Sequence, residues 1–187
     1  DTPLAETLAA FDGLIKAGKV RAIGASNYQA DRLEEALKVS EENGLARYET
    51  LQPEYNLYAR EEYERSLAPV VQRHGLGVIN FFSLASGFLT GKYRSEKDIG
   101  KSQRGDTIVE RYLNPRGFKI LAALDRVAEK HHTSPTQVSL AWLIARPDIT
   151  APIVSATSLK QLDELISATR LRLDAEDIRI LNDTSAW

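Results

Sequence analysis

The sequence predicts an α/β fold built on parallel strands. Three observations carry that prediction. Short apolar runs alternate with longer stretches of helical period; no apolar run is long enough for a helix of its own; and the order is one helix followed by four repeats of strand and helix. Two architectures accommodate such an alternation, a doubly wound sheet and a (β/α)8 barrel. The barrel runs to about 250 residues in eight units, so four units amount to half of one, and the first helix would close the preceding half.

The elements follow in order. Residues Pro3 to Ala17 place Leu4, Leu8, Phe11, Leu14 and Ile15 at helical spacing, with Thr2 as cap, Pro3 at the first helical position and Gly18 at the end. Val20 to Gly24 reads as a short strand that gives way to a loop at Ala25-Ser26-Asn27. Helical period returns from Asp31 through Leu33, Ala36, Leu37 and Val39, until Asn43-Gly44 stops it. Thr50 to Gln52 is the second strand, ended by Pro53; Glu61 to His74 is a helix ended by Gly75; and Val78 to Phe82 is the third strand. Arg94 to Asn114 is polar and aperiodic, which predicts a long irregular excursion. Two helices follow, Gly117 to His131 burying Phe118, Leu121, Leu124 and Val127, and a second begun by Ser134-Pro135 and running to Arg146. Ile149 to Val154 is the fourth strand. Thr157 or Ser158 then caps a helix with Leu159, Leu162, Leu165 and Ile166, and Asp174 caps a last one with Ile178 and Leu181.

Composition narrows the function. The chain has 187 residues, enough for one domain with a substantial core, and no linker or low-complexity tract interrupts it. Lys+Arg 24 against Asp+Glu 26 gives a net charge of -2 with the signs interspersed, which argues against a nucleic-acid surface. With no cysteine, thiol catalysis, disulfides and Cys-based metal sites are excluded, and a cytoplasmic setting is expected. No apolar run approaches about 18 residues, so no membrane partner is expected. The absence of methionine and the start within a helical pattern predict a piece of a longer protein.

The stretch Gly77 to Tyr93, GVINFFSLASGFLTGKY, has the strongest chemical character. Its apolar run delivers a loop of small and polar residues, Ser83, Ser86, Gly87, Thr90 and Gly91, ending on Lys92. Small residues let backbone N–H groups approach an anion, Lys92 supplies charge, and an aromatic at the strand end can cover a flat ring. Taken by itself, such a loop is common in α/β proteins.

Four segments together resemble the aldo-keto reductases, in the subgroup that includes the potassium-channel beta subunits. They are GKVRAIGASN at 18–27, LQPEYNLY at 51–58, GVINFFSLASGFLTGKYR at 77–94 and APIVSATSLKQL at 151–162, in the right order after successive predicted strands. The resemblance covers the whole chain as the C-terminal half of a (β/α)8 TIM barrel, four parallel strands with their helices plus a C-terminal helix. It implies NADP(H) as cofactor, leaving NAD(H) open, and small aldehydes or ketones as substrates. It also implies roles for individual residues. Ser26, Asn27 and Gln52 match those that hydrogen-bond the nicotinamide carboxamide, and Asn and Gln do supply the donor and acceptor an amide requires. Phe81 stands where a Tyr or Trp stacks on the nicotinamide. Phe82, Ser83, Leu84, Ser86, Gly87, Leu89, Gly91 and Lys92 match the loop around the pyrophosphate, with Arg104 near the phosphates. Ser155, Thr157, Gln161 and Glu164 match positions around the adenosine and its 2′-phosphate, although Leu165 departs from the Asn frequent there and Lys160 is the only cation in that first turn.

By the same resemblance, the family's catalytic Asp, Tyr, Lys and His belong to the first four strands of the barrel, upstream of Asp1, so no catalytic residue is assigned in this chain. His74, His131 and His132 fall at helix ends, where solvent and the helix terminus account for them. The first functional expectation is therefore the cofactor-binding part of a carbonyl reductase. The alternative is a non-catalytic cofactor-binding, regulatory or interaction module on the same fold. An isolated half-barrel would have open sheet edges, which predicts a homo-oligomer or pairing with the other half.

Overall fold

In the computed structural model, which describes residues 2–101 and 105–187, helices alternate with parallel strands as expected. The described residues form one sheet of three strands where four were expected. The chain divides into two units, one made of Asp1–Pro53 and Glu61–Ile79, the other of Glu54–Arg60 and Asn80–Trp187.

The first unit holds the sheet. Helix α1 (Leu4–Lys16) leads to β1 (Ile23–Ser26), α2 (Ala30–Glu42), β2 (Tyr48–Gln52), a π-helical turn at Tyr63–Leu67 that runs into α3 (Ala68–His74), and β3 (Gly77–Val78). The order is β1-β2-β3, all parallel, with Ala25 opposite Leu51 and Leu51 opposite Val78. All three of these side chains are buried, as central positions of a parallel sheet require. Gly24 pairs with Thr50, and a Cβ at Gly24 would lie 2.2 Å from Thr50 Oγ1, so the two strands meet there only because the residue has no side chain. Thr2 does not cap α1: Pro3 takes the N-cap position and no side chain closes that end. The helix is instead fixed near its other end by buried Asp12, which accepts from Lys16 Nζ at 2.6 Å and from Ala46 N at 3.1 Å.

In the second unit the expected strands shorten. Beyond Val78 the third run keeps one isolated parallel bridge, Phe81 to Glu54. The expected fourth strand at Ile149–Val154 forms no ladder; Ile153 N donates to Asn80 O at 2.9 Å, and its neighbour Pro152 has no N–H to give. The excursion expected to be irregular is partly helical, with a 3-10 turn at Glu96–Lys101 and α4 at Gly105–Tyr112. Only Ile108 and Tyr112 carry apolar burial along α4's side chains, one turn apart, too few to show as a period in a polar run. Then come α5 (Pro115–Lys130), α6 (Pro135–Ile144), α7 (Leu159–Ala168) and α8 (Ala175–Thr184). Their N-termini obey the capping chemistry: Asn114, Ser134, Ser158 and Asp174 each accept a backbone N–H of the first turn. Ser158, rather than Thr157, caps α7. Phe118 was expected in the core and is 44% exposed, because the buried stripe of α5 follows Gly117, Ile120, Leu121, Leu124 and Val127 and passes it by. No helix among the described residues is long and apolar enough to cross a membrane.

The end of α5 is joined to the start of α8 by charge. Lys130 Nζ reaches Asp174 Oδ2 at 2.7 Å and Asp177 Oδ1 at 2.8 Å, while His131 Nε2 lies 2.6 Å from Asp177 Oδ2. The Lys130 ammonium holds the Asp174 carboxyl at a pKa of about 2. Burial pushes Asp177 upward, but its bonds to Lys130 and His131 outweigh that and leave it below the usual carboxylate range. Both folded-state values lie under the unfolded one of about 3.9. Their stabilisation is therefore complete above that value and disappears as the pH falls from roughly 4 toward 2. We expect the urea midpoint to drop over that interval. In Lys130→Ala the drop should be visibly shallower, as urea titrations at pH 6 and pH 3 will show.

Candidate functional site

The residues expected to take an amide group lie in the first unit, at the C-terminal ends of β1 and β2. Ser26 Oγ donates to Gln52 O at 3.1 Å, and Asn27 Nδ2 donates to Ser26 Oγ at 3.0 Å. Asn27 is in the left-handed region, φ 59, a conformation Asn tolerates better than most residues. The three expected residues are thus joined by two hydrogen bonds at adjacent strand ends. The side-chain amide of Gln52 has no hydrogen-bond partner among the described residues, which leaves both its donor and its acceptor free.

The second unit contains the loop. Phe81 is half-buried and Phe82 exposed, their rings meeting edge to face at 5.1 Å. From Phe82 the backbone turns left-handed repeatedly: φ is 51 at Phe82, 48 at Ala85, 58 at Ser86, 99 at Gly87 and 77 at Gly91. These turns close on themselves, Ala85 N donating to Phe82 O at 2.7 Å, Gly87 N to Leu84 O at 2.9 Å and Gly91 N to Phe88 O at 3.0 Å. Lys92 lies along the loop, since a Cβ added to Gly87 would sit 3.6 Å from both Lys92 Cε and Nζ, and the same ammonium is 5.2 Å from the Tyr93 ring centre. Leu84 is half-buried. Ala85, Phe88 and Leu89 point inward and are fully buried, so the loop has a polar face over an apolar floor. Arg104 lies outside the described residues.

The remaining expected residues surround the start of α7. Thr157 donates through both its N–H and its Oγ1 to Gln161 Oε1, at 2.7 and 2.9 Å. Ser155 is exposed, and Glu164 accepts from Ser134 Oγ, so its carboxylate links α7 to the cap of α6. Two buried residues with no role assigned from the sequence stand beside the loop, Asn56 and Asn80. The signal for Asn80 was visible, a polar residue within the apolar run Val78 to Phe82, but its partners are 25 or more residues away along the chain or on the far side of the turn.

The profile of the aldo/keto reductase family matches residues 1–186. The chain is 34% identical over 183 residues to an uncharacterized oxidoreductase of Bacillus subtilis, across 97% of this chain and 54% of that protein. It is 30% identical over 171 residues to a putative voltage-gated potassium channel subunit beta of Schizosaccharomyces pombe, across 89% of this chain and 50% of that protein. Among solved structures it is similar to a thermostable aldo-keto reductase in complex with the inhibitor epalrestat, with a TM-score of 0.75 and 26% identity, across 98% of this chain and 55% of the other. The chain spans about half the length of the curated relatives it matches.

The left-handed turn has a consequence for stability that is separate from ligand binding. Gly87 at φ 99 lies where an L side chain is strained, even though the nearest neighbour of an added Cβ, Lys92, would be at ordinary contact distance. Gly87→Ala is expected to lower the unfolding free energy by about 1–2 kcal/mol from backbone strain alone, measured by chemical denaturation without added ligand.

Proposed function

The chain belongs to the aldo/keto reductase family, and from that premise we propose that it forms the C-terminal half of a (β/α)8 barrel and binds NADP(H), with NAD(H) left open, for reduction of small aldehydes and ketones to alcohols. The observation that carries the proposal is the left-handed Ser86-Gly87 turn with the Lys92 side chain across it. A pyrophosphate needs a close backbone approach and a cation, and the glycine at Gly87 keeps the backbone bare beside Lys92, whose Nζ lies 3.6 Å from where its Cβ would stand. In this proposal Phe82 to Lys92 and Arg104 hold the pyrophosphate. Phe81 offers a ring face to the nicotinamide, and Ser26, Asn27 and the free amide of Gln52 take its carboxamide, which needs a donor and an acceptor at once. Ser155, Thr157, Gln161 and Glu164 surround the adenosine end.

A nicotinamide held by these residues would supply hydride chemistry to a carbonyl substrate. The residues of this chain bind and orient it. Phe81 on the ring face and the Ser26, Asn27 and Gln52 groups on the carboxamide would fix which face of the ring is open to substrate.

Titration with NADPH and with NADH, followed by nicotinamide fluorescence, tests the proposal. Lys92→Ala is expected to weaken NADPH binding by roughly 10- to 100-fold, the value of one charge-assisted hydrogen bond. Its thermal midpoint should hardly move, because Lys92 is exposed. A wild-type chain that binds neither nucleotide, or a Lys92→Ala variant that binds as the wild type does, would overturn it.

A further inference from the structure

Phe82 is a bulky residue at φ 51, a conformation that a residue with a side chain enters at a cost. Two asparagines, neither among the residues assigned to the cofactor above, hold it there. Its carbonyl accepts from Asn56 Nδ2 at 2.9 Å as well as from Ala85 N at 2.7 Å. Asn56 is fully buried and its orientation is fixed, since Oδ1 accepts from Tyr58 N and Ala59 N, both at 2.8 Å. With the acceptor so engaged, the donor can only face Phe82.

Asn80 fixes the residues on either side. Its Nδ2 donates to Tyr55 O at 2.7 Å and to Ser83 Oγ at 3.1 Å, and Ser83 Oγ in turn donates to Ile153 O at 2.9 Å. Phe82 therefore lies between an asparagine and a serine bonded to each other. Asn80 makes these bonds at a cost, because its Oδ1 is buried with no partner among the described residues. A valine in that apolar run would remove the unpaired Oδ1, but it would also take the donor away from Tyr55 O. What the amide adds is the pair of donated bonds, and both of them constrain the turn.

Resting on the cofactor assignment above, we propose that Asn56 and Asn80 are positioning residues that hold Phe82 in the left-handed conformation and thereby set how tightly the Phe81 to Lys92 segment binds a nicotinamide dinucleotide. Neither touches the nucleotide. They act through the backbone of Phe82, so relieving the conformational cost at that one residue relieves the need for them.

The test is a double-mutant cycle with NADPH as the probe. Asn56→Asp keeps an acceptor for Tyr58 N and Ala59 N but replaces the donor to Phe82 O by a buried carboxylate oxygen facing that carbonyl, so the bond is lost and repulsion is added. It is expected to weaken NADPH binding by about 10-fold or more in the wild-type background. In a Phe82→Gly background the same change should cost less than about 3-fold, because glycine adopts positive φ freely. Asn80→Val should behave alike. Hydrogen exchange of the unliganded protein is expected to quicken in peptides covering residues 82–89 and to stay unchanged in α5 and α6; should Asn80→Val fail to fold, Asn56→Asp decides. Equal losses in the two backgrounds, or exchange that quickens evenly along the chain, would mean ordinary structural damage and overturn the inference. So would a wild type that binds NADPH with an Asn56→Asp variant that binds equally well, which leaves the cofactor assignment standing. A wild type that binds neither NADPH nor NADH overturns both.

Discussion

The donated bonds of the Asn80 amide stand where the ladder of strands gives out. After Gly77-Val78 the backbone no longer pairs rung by rung, yet Phe81 still runs beside Glu54, and Asn80 beside Ile153. Buried backbone groups must find partners. At Tyr55 O the partner is a side chain, Asn80 Nδ2, and at Ile153 O it is Ser83 Oγ. Side chains thus replace rungs that a regular ladder would have supplied. The chain between them is relieved of sheet geometry while remaining anchored, and that allows it to take up four left-handed residues within six positions, Phe82 to Gly87.

A loop with that much unfavourable backbone needs a firm floor. Phe88 stacks on Tyr112 at 5.1 Å with an interplanar angle of 15°, and Tyr58 meets both rings edge to face. Gly117 lets α5 close over them, since a Cβ there would be 1.9 Å from Tyr112 O and 3.0 Å from Phe88 Cζ. Ser139 Oγ donates to Leu89 O, and Tyr58 itself is held from outside by Arg116, whose guanidinium lies 4.6 Å from the ring centre and donates to Tyr58 O. Each contact is ordinary. Together they fix Phe88 and Leu89, and the polar side of the loop has no freedom that its apolar side lacks, which lowers the ordering cost of taking up a ligand.

What the sequence disclosed, and what it withheld, divides along one line. Capping chemistry is local, so Ser134, Asp174 and the Asn43-Gly44 stop could be read from neighbours in sequence, and helix ends emerged within a residue or two. The apolar runs at β1 and β2 were legible for the same reason, although β1 starts later than expected, at Ile23, and keeps Ala25 and Ser26, which read as loop. Pairing is not local. Whether Ile149 to Val154 makes a ladder depends on what Asn80 offers across about 70 residues and on the missing N–H of Pro152, and periodicity carries neither. The same applies to α4, whose two apolar anchors were diluted by charge, and to Phe118, where hydrophobicity was right and the direction of the stripe was not. Among the candidate site residues, the small, polar and basic character of Ser83 to Lys92 was plain, whereas the left-handed backbone at Phe82 and Ala85 was invisible, since neither residue type advertises it.

The adenosine end follows from the same accounting of partners. At the start of α7, Gln161 N is taken by the Ser158 cap, and just before it Thr157 N and Oγ1 are taken by Gln161 Oε1. Glu164, an anion in an unhelpful place for a 2′-phosphate, is engaged by Ser134 Oγ and drawn toward α6. Lys160 is exposed and is the one cation in the first turn of α7. An exposed pair between a lysine and a phosphate is worth about 1 kcal/mol, roughly a fivefold preference. On the proposed cofactor assignment, then, these residues favour the phosphorylated dinucleotide only modestly. The larger share of affinity must come from what both nucleotides have in common, the pyrophosphate against the Ser86-Gly87 turn and the nicotinamide against Phe81.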